Sequence, residues 1–294
     1  MEKYSGANGI WVQVLRASSA EGQPDLYTLR LHYHRFIHAE FMTHRKISRN
    51  AASSRAIPVR SMIEQVKEQP AIPIEWGKNK GGMQADSPLA QSEAAEAESL
   101  WLAARDHALT QAKMLSELKL HKQVANRILE PFAFMEVIAT SSAPGWHHFL
   151  HLRHHPDAQP EINELARLIA QALEESDPQR LEPGEWHLPF VSYNQGVYRV
   201  EDETQREVSL AEAKEVSASG CAQVSFRKLD LSAEKTRKVY GMLVGSDVVH
   251  ASPFEHQATP LAAGESDPAQ TGNLDGWVQL RKTMQNEYFP HARA

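Results

Sequence analysis

Basic side chains alternate with small hydroxyl side chains in the segment THRKISRNAASSR, residues 43–55. Near its end, Ser53, Ser54 and Arg55 together offer two hydroxyl groups, backbone N–H groups and a planar guanidinium. Because a guanidinium pairs with a phosphate through two parallel hydrogen bonds, this set of donors is suited to a phosphate group. Short basic runs are also common on protein surfaces, so composition alone favours a solvated basic turn beside a helix.

Histidine is concentrated in a second segment. Five of the 15 histidines lie between His147 and His155, at spacings of three and four residues. On a helix, such spacings place imidazole groups on one face, where they are able to hold a metal ion. No cysteine and no HExxH motif accompanies them, so we predict no metal site. For His154 and His155, an exposed cluster without a chemical role is the competing interpretation.

The overall composition excludes several classes of protein. Acidic residues outnumber basic residues by 37 to 31, and the formal net charge of −6 argues against a general nucleic-acid binder. No apolar run approaches the ~18 residues that a membrane span needs. Cys221 is the one cysteine and has no intramolecular disulfide partner, and we predict a small core residue there, not a nucleophile. We expect a protein of the cytoplasm, or of the host cytoplasm if the source is a virus, without nucleic-acid or membrane partners.

Hydrophobic periodicity predicts the elements that position these side chains. Runs rich in β-branched and aromatic residues predict strands at 10–16 and 27–36. Apolar residues at helical spacing predict helices, at 59–68, 88–119, 158–175, 209–218 and 232–245. Weaker patterns also predict helix, at 36–50, 120–140 and 277–287. The mixture predicts an α/β or α+β fold.

The basic segment resembles the signature of the flavin-dependent thymidylate synthases. The pattern in that family is Arg-His-Arg, seven residues, serine, one residue and arginine. His44, Arg45, Ser53 and Arg55 fall on this pattern. The chain departs from it at two positions, because Thr43 replaces the first arginine and alanine follows Arg55 where many members have tyrosine.

Two further segments are similar to motifs of the same family. FLHLR followed by AQPEI, residues 149–162, resembles the family's FLxLR and AQxEI segment, with Arg153 as its arginine. HASPFEH, residues 250–256, looks like the family's flavin-binding HxSPFEH segment, and CAQVSF, residues 221–226, resembles AARVSY. RILEP, which begins at Arg127, matches an RxxLP-like turn loosely.

The order of these motifs differs from that of most members. The AARVSY and HxSPFEH segments usually precede the Arg-His-Arg segment, whereas here they follow it by about 200 residues. A circular permutation explains this order, because chain termini often lie close together on a domain surface. We therefore predict a single catalytic domain, 1–294, in five parts. These are a nucleotide and flavin motif block (1–66), a helical insertion (67–119), a base-binding arginine with a long helix (120–180), a connector (181–217) and a flavin-binding block (218–294).

The resemblance implies a fold and an activity. It implies a central mixed β-sheet flanked by helices, and a homotetramer with sites built from several subunits. The implied reaction is reductive methylation of dUMP to dTMP, with methylenetetrahydrofolate as the carbon donor and NADPH reducing bound FAD. Members of the family use no enzyme thiol, which agrees with the interpretation of Cys221.

The resemblance also implies roles for individual residues. Arg153 is the implied catalytic residue, since a permanently charged guanidinium stabilises negative charge that develops on the pyrimidine ring. The implied substrate-binding residues are Glu40, Ser53, Ser54, Arg55, Arg127 and Arg153. The implied cofactor-binding residues are His44, Arg45, His148, Ser225, His250, Ser252 and Glu255.

Two alternatives remain open from the sequence. The first is the same flavin and folate chemistry on another pyrimidine nucleotide, such as dCMP, or with a hydroxymethyl product. Departures at Thr43 and Ala51, together with Glu40, bear on base or ribose contacts. The second is a non-catalytic paralogue that binds flavin or nucleotide, against which the complete HxSPFEH segment argues.

Overall fold

The architecture is that of a computed structural model, which describes residues 3–85, 87–225 and 229–287, with Ser225 described in its backbone alone. The strands are β1 (Lys3–Ser5), β2 (Trp11–Ala20), β3 (Gln23–His34), β4 (Ser48–Ala51), β5 (Phe134–Ser142), β6 (Gln179–Arg180), β7 (Val191–Asn194), β8 (Val197–Val200), β9 (Glu207–Val208), β10 (Ala258–Pro260) and β11 (Trp277–Gln279). The α-helices are α1 (His38–Phe41), α2 (Val59–Glu68), α3 (Gln91–Glu117), α4 (Lys122–Ala125), α5 (Ala143–Arg153), α6 (Pro160–Glu174), α7 (Leu210–Ala222), α8 (Ala233–Val244) and α9 (Pro268–Thr271). Short 3-10 helices lie at Arg35–Ile37, Asn126–Phe132, Gln223–Ser225, Ser252–Glu255 and Leu280–Thr283.

The central sheet has six strands in the order β1-β2-β3-β5-β4, with β6 paired beside β2. The β2–β6 pair is parallel and the other neighbours are antiparallel. Both β2 and β3 contain β-branched and aromatic residues, which favour strands. The predicted central mixed sheet is confirmed.

Helices α5 and α6 cover one face of this sheet. Successive side chains of a strand point to opposite faces, so Leu29, Leu31 and Tyr33 of β3 share one face and are fully buried there. Their core also contains Trp146 of α5 and Leu165 of α6. Helix α6 presents buried residues at helical spacing, as its sequence predicts.

The C-terminal third of the chain covers part of the opposite face. Leu15 and Ile138 of the sheet share a core with Val216 of α7 and Val239 of α8. Serine side chains cap both helices, because the hydroxyl groups of Ser209 and Ser232 accept N–H groups of their first turns. The small sheets β7-β8-β9 and β10-β11 complete this layer.

A third layer joins α2 and α3 to the 3-10 helix Asn126–Phe132. Met62 and Val66 pack against Leu109 and Ala112, as the helical spacing of both segments predicts. Most of the segment between the two helices forms turns and loops, in agreement with its Pro and Gly content. In the part of the chain that the structure describes, every helix is too short or too polar to cross a bilayer.

Three of the predicted helices are wrong in whole or in part. Residues 36–50 form only the short helix α1 before β4, and 277–287 contain β11 and a 3-10 helix. Residues 120–140 begin with α4 but continue into β5, which lies between β3 and β4. Because β5 is buried on both faces over much of its length, its sequence lacks the alternation that identifies a strand.

Candidate active site

Strand β4 lies at an edge of the sheet, where segments distant in sequence meet. The side chain of Asn50 donates from Nδ2 to the backbone oxygen of Cys221, at 2.5 Å. Its Oδ1 accepts a hydrogen bond from the hydroxyl group of Ser252, at 2.9 Å. Asn50 therefore joins the basic segment to both of the segments that the sequence assigns to flavin binding.

Arg153, the last residue of α5, is held by three residues from around α1. Its Nε donates to Nε2 of His44 at 3.0 Å, and one Nη donates to Oε2 of Glu40 at 3.1 Å. The other Nη lies 3.4 Å from the hydroxyl oxygen of Thr43. The Arg153 side chain is 22% exposed, so a charged donor of fixed orientation faces solvent here.

His44 is a neutral acceptor in this cluster. Burial lowers its pKa to about 4, and the positive charges of Arg153 and Arg49 act in the same direction, as does His148. Nε2 must be unprotonated to accept from Arg153. An Nη of Arg49 also donates to the backbone oxygen of His44 at 2.6 Å, which fixes the turn before β4.

Two of the predicted phosphate ligands, Ser54 and Arg127, contact the carboxylate of Glu130. Oε1 of Glu130 accepts from the hydroxyl group of Ser54 at 2.7 Å and from an Nη of Arg127 at 2.9 Å. The backbone N–H of Arg55 donates to Oγ of Ser53 at 3.3 Å, while the Arg55 side chain is exposed. Ser54 and Arg127 therefore meet at an anion that belongs to the chain itself.

Arg35 is a further member of this group that the sequence pattern did not identify. One of its Nη atoms lies 3.0 Å from Oε1 of Glu130. Asn126 orders the neighbouring loop, since its Nδ2 donates to the backbone oxygens of Ser54 at 2.7 Å and Ile57 at 2.9 Å. Three hydrogen-bond donors thus converge on one oxygen in a preorganised loop.

Glu255 of the HxSPFEH segment forms an ion pair with Arg281. Arg281 also lies 3.1 Å from a carboxylate oxygen of Glu287. Nε2 of Gln279 donates to the backbone oxygen of Glu255 at 3.2 Å and to the hydroxyl oxygen of Ser48 at 3.3 Å. Strand β11 therefore positions Glu255 beside β4. The helix that the sequence predicts at 277–287 gives no indication of this role.

His256 belongs to a buried polar chain that crosses the sheet. Its Nδ1 lies 2.8 Å from the hydroxyl oxygen of Thr140, which lies 2.7 Å from that of Thr28. His187 continues the chain, with Nε2 2.8 Å from Thr28 and Nδ1 2.8 Å from Ser18. Full burial lowers the pKa of His187 and His256, so both imidazoles are neutral. The last histidine of HASPFEH thus anchors its segment to the sheet.

Buried histidines predict that acid destabilises the protein. Burial lowers the pKa of His32, His38 and His44 to about 4 and that of His256 to about 3. Unfolded histidine titrates near 6.5, so the unfolded chain binds more protons as the pH falls below that value. Stability present above about pH 6.5 is therefore lost progressively toward pH 4.

The midpoint of urea unfolding measures this effect, and we expect it to be lower at pH 5 than at pH 7.5. Exchanging the exposed His107 for glutamine should leave the difference unchanged, whereas His32→Gln should reduce it. Equal midpoints at the two pH values would contradict the argument.

Among the side chains that the structure describes, those of Arg45, His148 and His250 form no hydrogen bond with these clusters. Arg45, His148 and His250 are exposed, and the ring of His148 lies 6.2 Å from that of His44. The side chain of Ser225 lies outside the described residues. Within the described ranges, no three His, Cys, Asp or Glu side chains are placed to hold a metal ion.

Comparison with known families decides what this chain resembles. The model of the family "Thymidylate synthase complementing protein" matches residues 26–179, just over half of the chain. The chain belongs to this family. It is therefore an enzyme, a methyltransferase of the thymidylate synthase class, and the resemblance seen in its motifs is confirmed. The matched range contains Glu40 and Arg153, and also Glu130 with its partners Ser54, Arg127 and Arg35. The segments at 221–226 and 250–256 lie beyond it.

A solved structure shares the fold. The crystal structure of a UMP/dUMP methylase PolB from Streptomyces cacaoi bound with 5-Br UMP has a TM-score of 0.50 at 17% identity, over 57% of this chain and 90% of that chain. The same methylase bound with 5-Br dUMP has a TM-score of 0.48 at 16% identity, over 57% of this chain and 91% of that chain. A search of curated protein sequences finds no match.

Proposed function

We propose that this chain is a flavin-dependent thymidylate synthase that converts dUMP to dTMP. Methylenetetrahydrofolate supplies the carbon and NADPH supplies the reducing equivalents, by way of FAD. The observation that carries the proposal is the placement of Arg153, which Glu40 and His44 orient inside the region that matches the family.

Arg153 acts on the pyrimidine base. Its guanidinium stays protonated at any relevant pH, so it donates to a ring oxygen and stabilises negative charge that develops there. Glu40 and the neutral His44 fix the plane of the guanidinium before substrate binds. Preorganised donors of this kind contribute more to rate than donors that must reorient.

The phosphate and the flavin take separate groups of residues. We assign Ser53, Ser54, Arg55 and Arg127 to the nucleotide phosphate. We assign FAD to His44, Arg45, His148, Ser225, His250, Ser252 and Glu255. The donor chemistry fits, because hydroxyl groups and the exposed guanidinium of Arg45 suit a pyrophosphate. The contact between Ser252 and Asn50 fixes the HxSPFEH segment. When bound, the flavin supplies the hydride that completes the methyl group.

Cys221 plays no nucleophilic part in this proposal. Its side chain is fully buried, and burial raises the pKa of the thiol. A thiolate is the reactive form of cysteine, so a buried neutral thiol is inert.

Permutation and assembly are further parts of the proposal. We propose a single catalytic domain, 1–294, in which the flavin-binding block 218–294 has moved to the C-terminal end, and the Asn50 contacts support this interpretation. We also propose a homotetramer. Large apolar side chains exposed near α3 and α4 support association, namely Leu100, Met114, Leu118, Leu120 and Val124.

A flavin spectrum tests the proposed function. Purified protein should be yellow, its visible absorbance should shift when dUMP is added, and it should form dTMP with methylenetetrahydrofolate and NADPH. Protein that is colourless and fails to bind added FAD would contradict the proposal.

Glu40 supports one second candidate, the same chemistry on dCMP, and a hydroxymethyl product is a further variant of this candidate. A carboxylate accepts a hydrogen bond from the amino group of cytosine. Glu40 is hydrogen-bonded to Arg153 at the proposed base site. Competition between dUMP, dCMP and UMP separates the candidates, since a tenfold preference needs only ~1.4 kcal/mol. Product analysis by mass spectrometry distinguishes a methyl from a hydroxymethyl group.

A further inference from the structure

Glu130 occupies the centre of the proposed phosphate site. Its Oε1 accepts from the hydroxyl group of Ser54 at 2.7 Å and from Arg127 at 2.9 Å, and it lies 3.0 Å from an Nη of Arg35. Two guanidinium groups and a hydroxyl group around one anionic oxygen are the surroundings that a phosphate oxygen also takes. The carboxylate therefore uses the donors that a bound phosphate would need.

The group is rigid on its inner side and open on its outer side. The side chains of Glu130 and Arg35 are each 19% exposed, whereas that of Arg127 is 51% exposed. Asn126 holds the backbone of Ser54 and Ile57 in place. An anion from solvent therefore approaches past Arg127, while the Ser54 loop and Arg35 need not rearrange to receive it.

We propose that Glu130 is an internal anion that competes with the substrate phosphate, and that Arg35 is a further phosphate ligand. The proposal rests on the phosphate assignment made for Ser54 and Arg127 in the proposed function. Binding exchanges one anion for another: Glu130 leaves its three donors, and the phosphate oxygens take them. No covalent bond is made or broken, so the competition changes the affinity for the nucleotide and not the chemistry of methyl transfer.

Removing the charge of Glu130 should strengthen phosphate binding. The variant E130Q keeps the size of the side chain but replaces a charged acceptor by a neutral one. Hydrogen bonds to charged groups are roughly twice as strong as those to neutral groups. A phosphate therefore displaces the glutamine from the donors more easily than it displaces the glutamate. We expect Kd for dUMP and for inorganic phosphate, measured by calorimetry, to fall at least tenfold in E130Q.

Strand β5, which follows the 3-10 helix that contains Glu130, provides a matched control. Glu136 is another half-buried carboxylate paired with an arginine, Arg30, and it lies outside the proposed phosphate site. We expect E136Q to change both dissociation constants by less than twofold. Adding R35Q to E130Q should raise the dissociation constant for inorganic phosphate again, because Arg35 is then missing from the site.

The outcomes separate this inference from the proposed function. Tighter binding in E130Q without dTMP formation by wild type supports the inference and contradicts the function. Turnover by wild type with unchanged or weaker binding in E130Q overturns the inference alone. Absence of phosphate binding in both proteins overturns it as well. If E130Q fails to fold, E130D, which retains the charge but shortens the side chain, should also bind inorganic phosphate more tightly, and equal binding would overturn the inference.

Discussion

Replacing Arg153 by alanine should lower kcat for dUMP by about 10²- to 10³-fold while FAD stays bound. Glu40 of α1 and His44 of the following turn orient this guanidinium at the end of α5. Alanine removes the donor for charge that develops on the base. The proposed flavin ligands on the HxSPFEH segment keep their own contacts with Asn50 and Arg281.

Steady-state kinetics and the flavin absorbance measure the two parts of this expectation. R153K keeps a positive charge but loses the planar guanidinium, so we expect its kcat to lie between that of R153A and that of the wild-type enzyme. Arg167 provides a matched control, because it is paired with Glu164 on the surface of α6. R167A should leave kcat unchanged. If R153A retains more than a tenth of wild-type turnover, the role assigned to Arg153 is wrong.

The Arg153 cluster depends on the neutral state of His44. Its pKa of about 4 results first from burial and then from Arg153 itself. Near neutral pH the imidazole therefore accepts the Nε–H of Arg153. Protonation would place two cations in contact and remove that acceptor. His44 of the basic segment thus positions Arg153 of the FLHLR segment. This role is additional to the flavin binding that the resemblance implies for His44.

Local patterns were sufficient for much of the fold. The helices α2, α3, α6 and α8 follow from apolar spacing, and α2 occupies the predicted range 59–68. The strand β5 was missed because a strand buried on both faces and a buried helix share the same run of apolar residues. Length and flanking turns do not separate them here, since the 3-10 helix Asn126–Phe132 leads directly into the strand.

The candidate site was predictable in its motifs but not in its pairings. The segments containing Arg153, Ser54 and Ser252 carry recognisable residue patterns. Their partners depend on tertiary contacts that no spacing encodes. Glu130 was visible as part of RILEP, yet only the fold brings Ser54, 76 residues away in sequence, to its carboxylate. Arg281, which pairs with Glu255, lies in a 3-10 helix directly after the short strand β11, where the sequence predicts one helix.

Replacing Trp277 by alanine should lower the free energy of unfolding by about 3–5 kcal/mol. The side chain is fully buried and packs with Leu26, Leu274 and Ala258. Its Nε1 also donates to the backbone oxygen of Pro24 at 2.7 Å. Alanine leaves a large cavity and an unpaired carbonyl, and the neighbouring strands close such a space only partly. Urea unfolding followed by tryptophan fluorescence and circular dichroism measures the loss.

The same substitution should weaken flavin binding, because Trp277 begins the strand that positions Glu255. Gln279, two residues later, bonds to the backbone of Glu255 and to Ser48 of β4. W277F fills most of the cavity and loses mainly the hydrogen bond to Pro24. It should therefore lower the free energy of unfolding by less than half as much as W277A does. M242A removes a side chain that is 64% exposed on α8 and should change stability by less than about 0.5 kcal/mol. If W277A is destabilised as expected but binds FAD with wild-type affinity, β11 supports the fold without positioning the flavin segment.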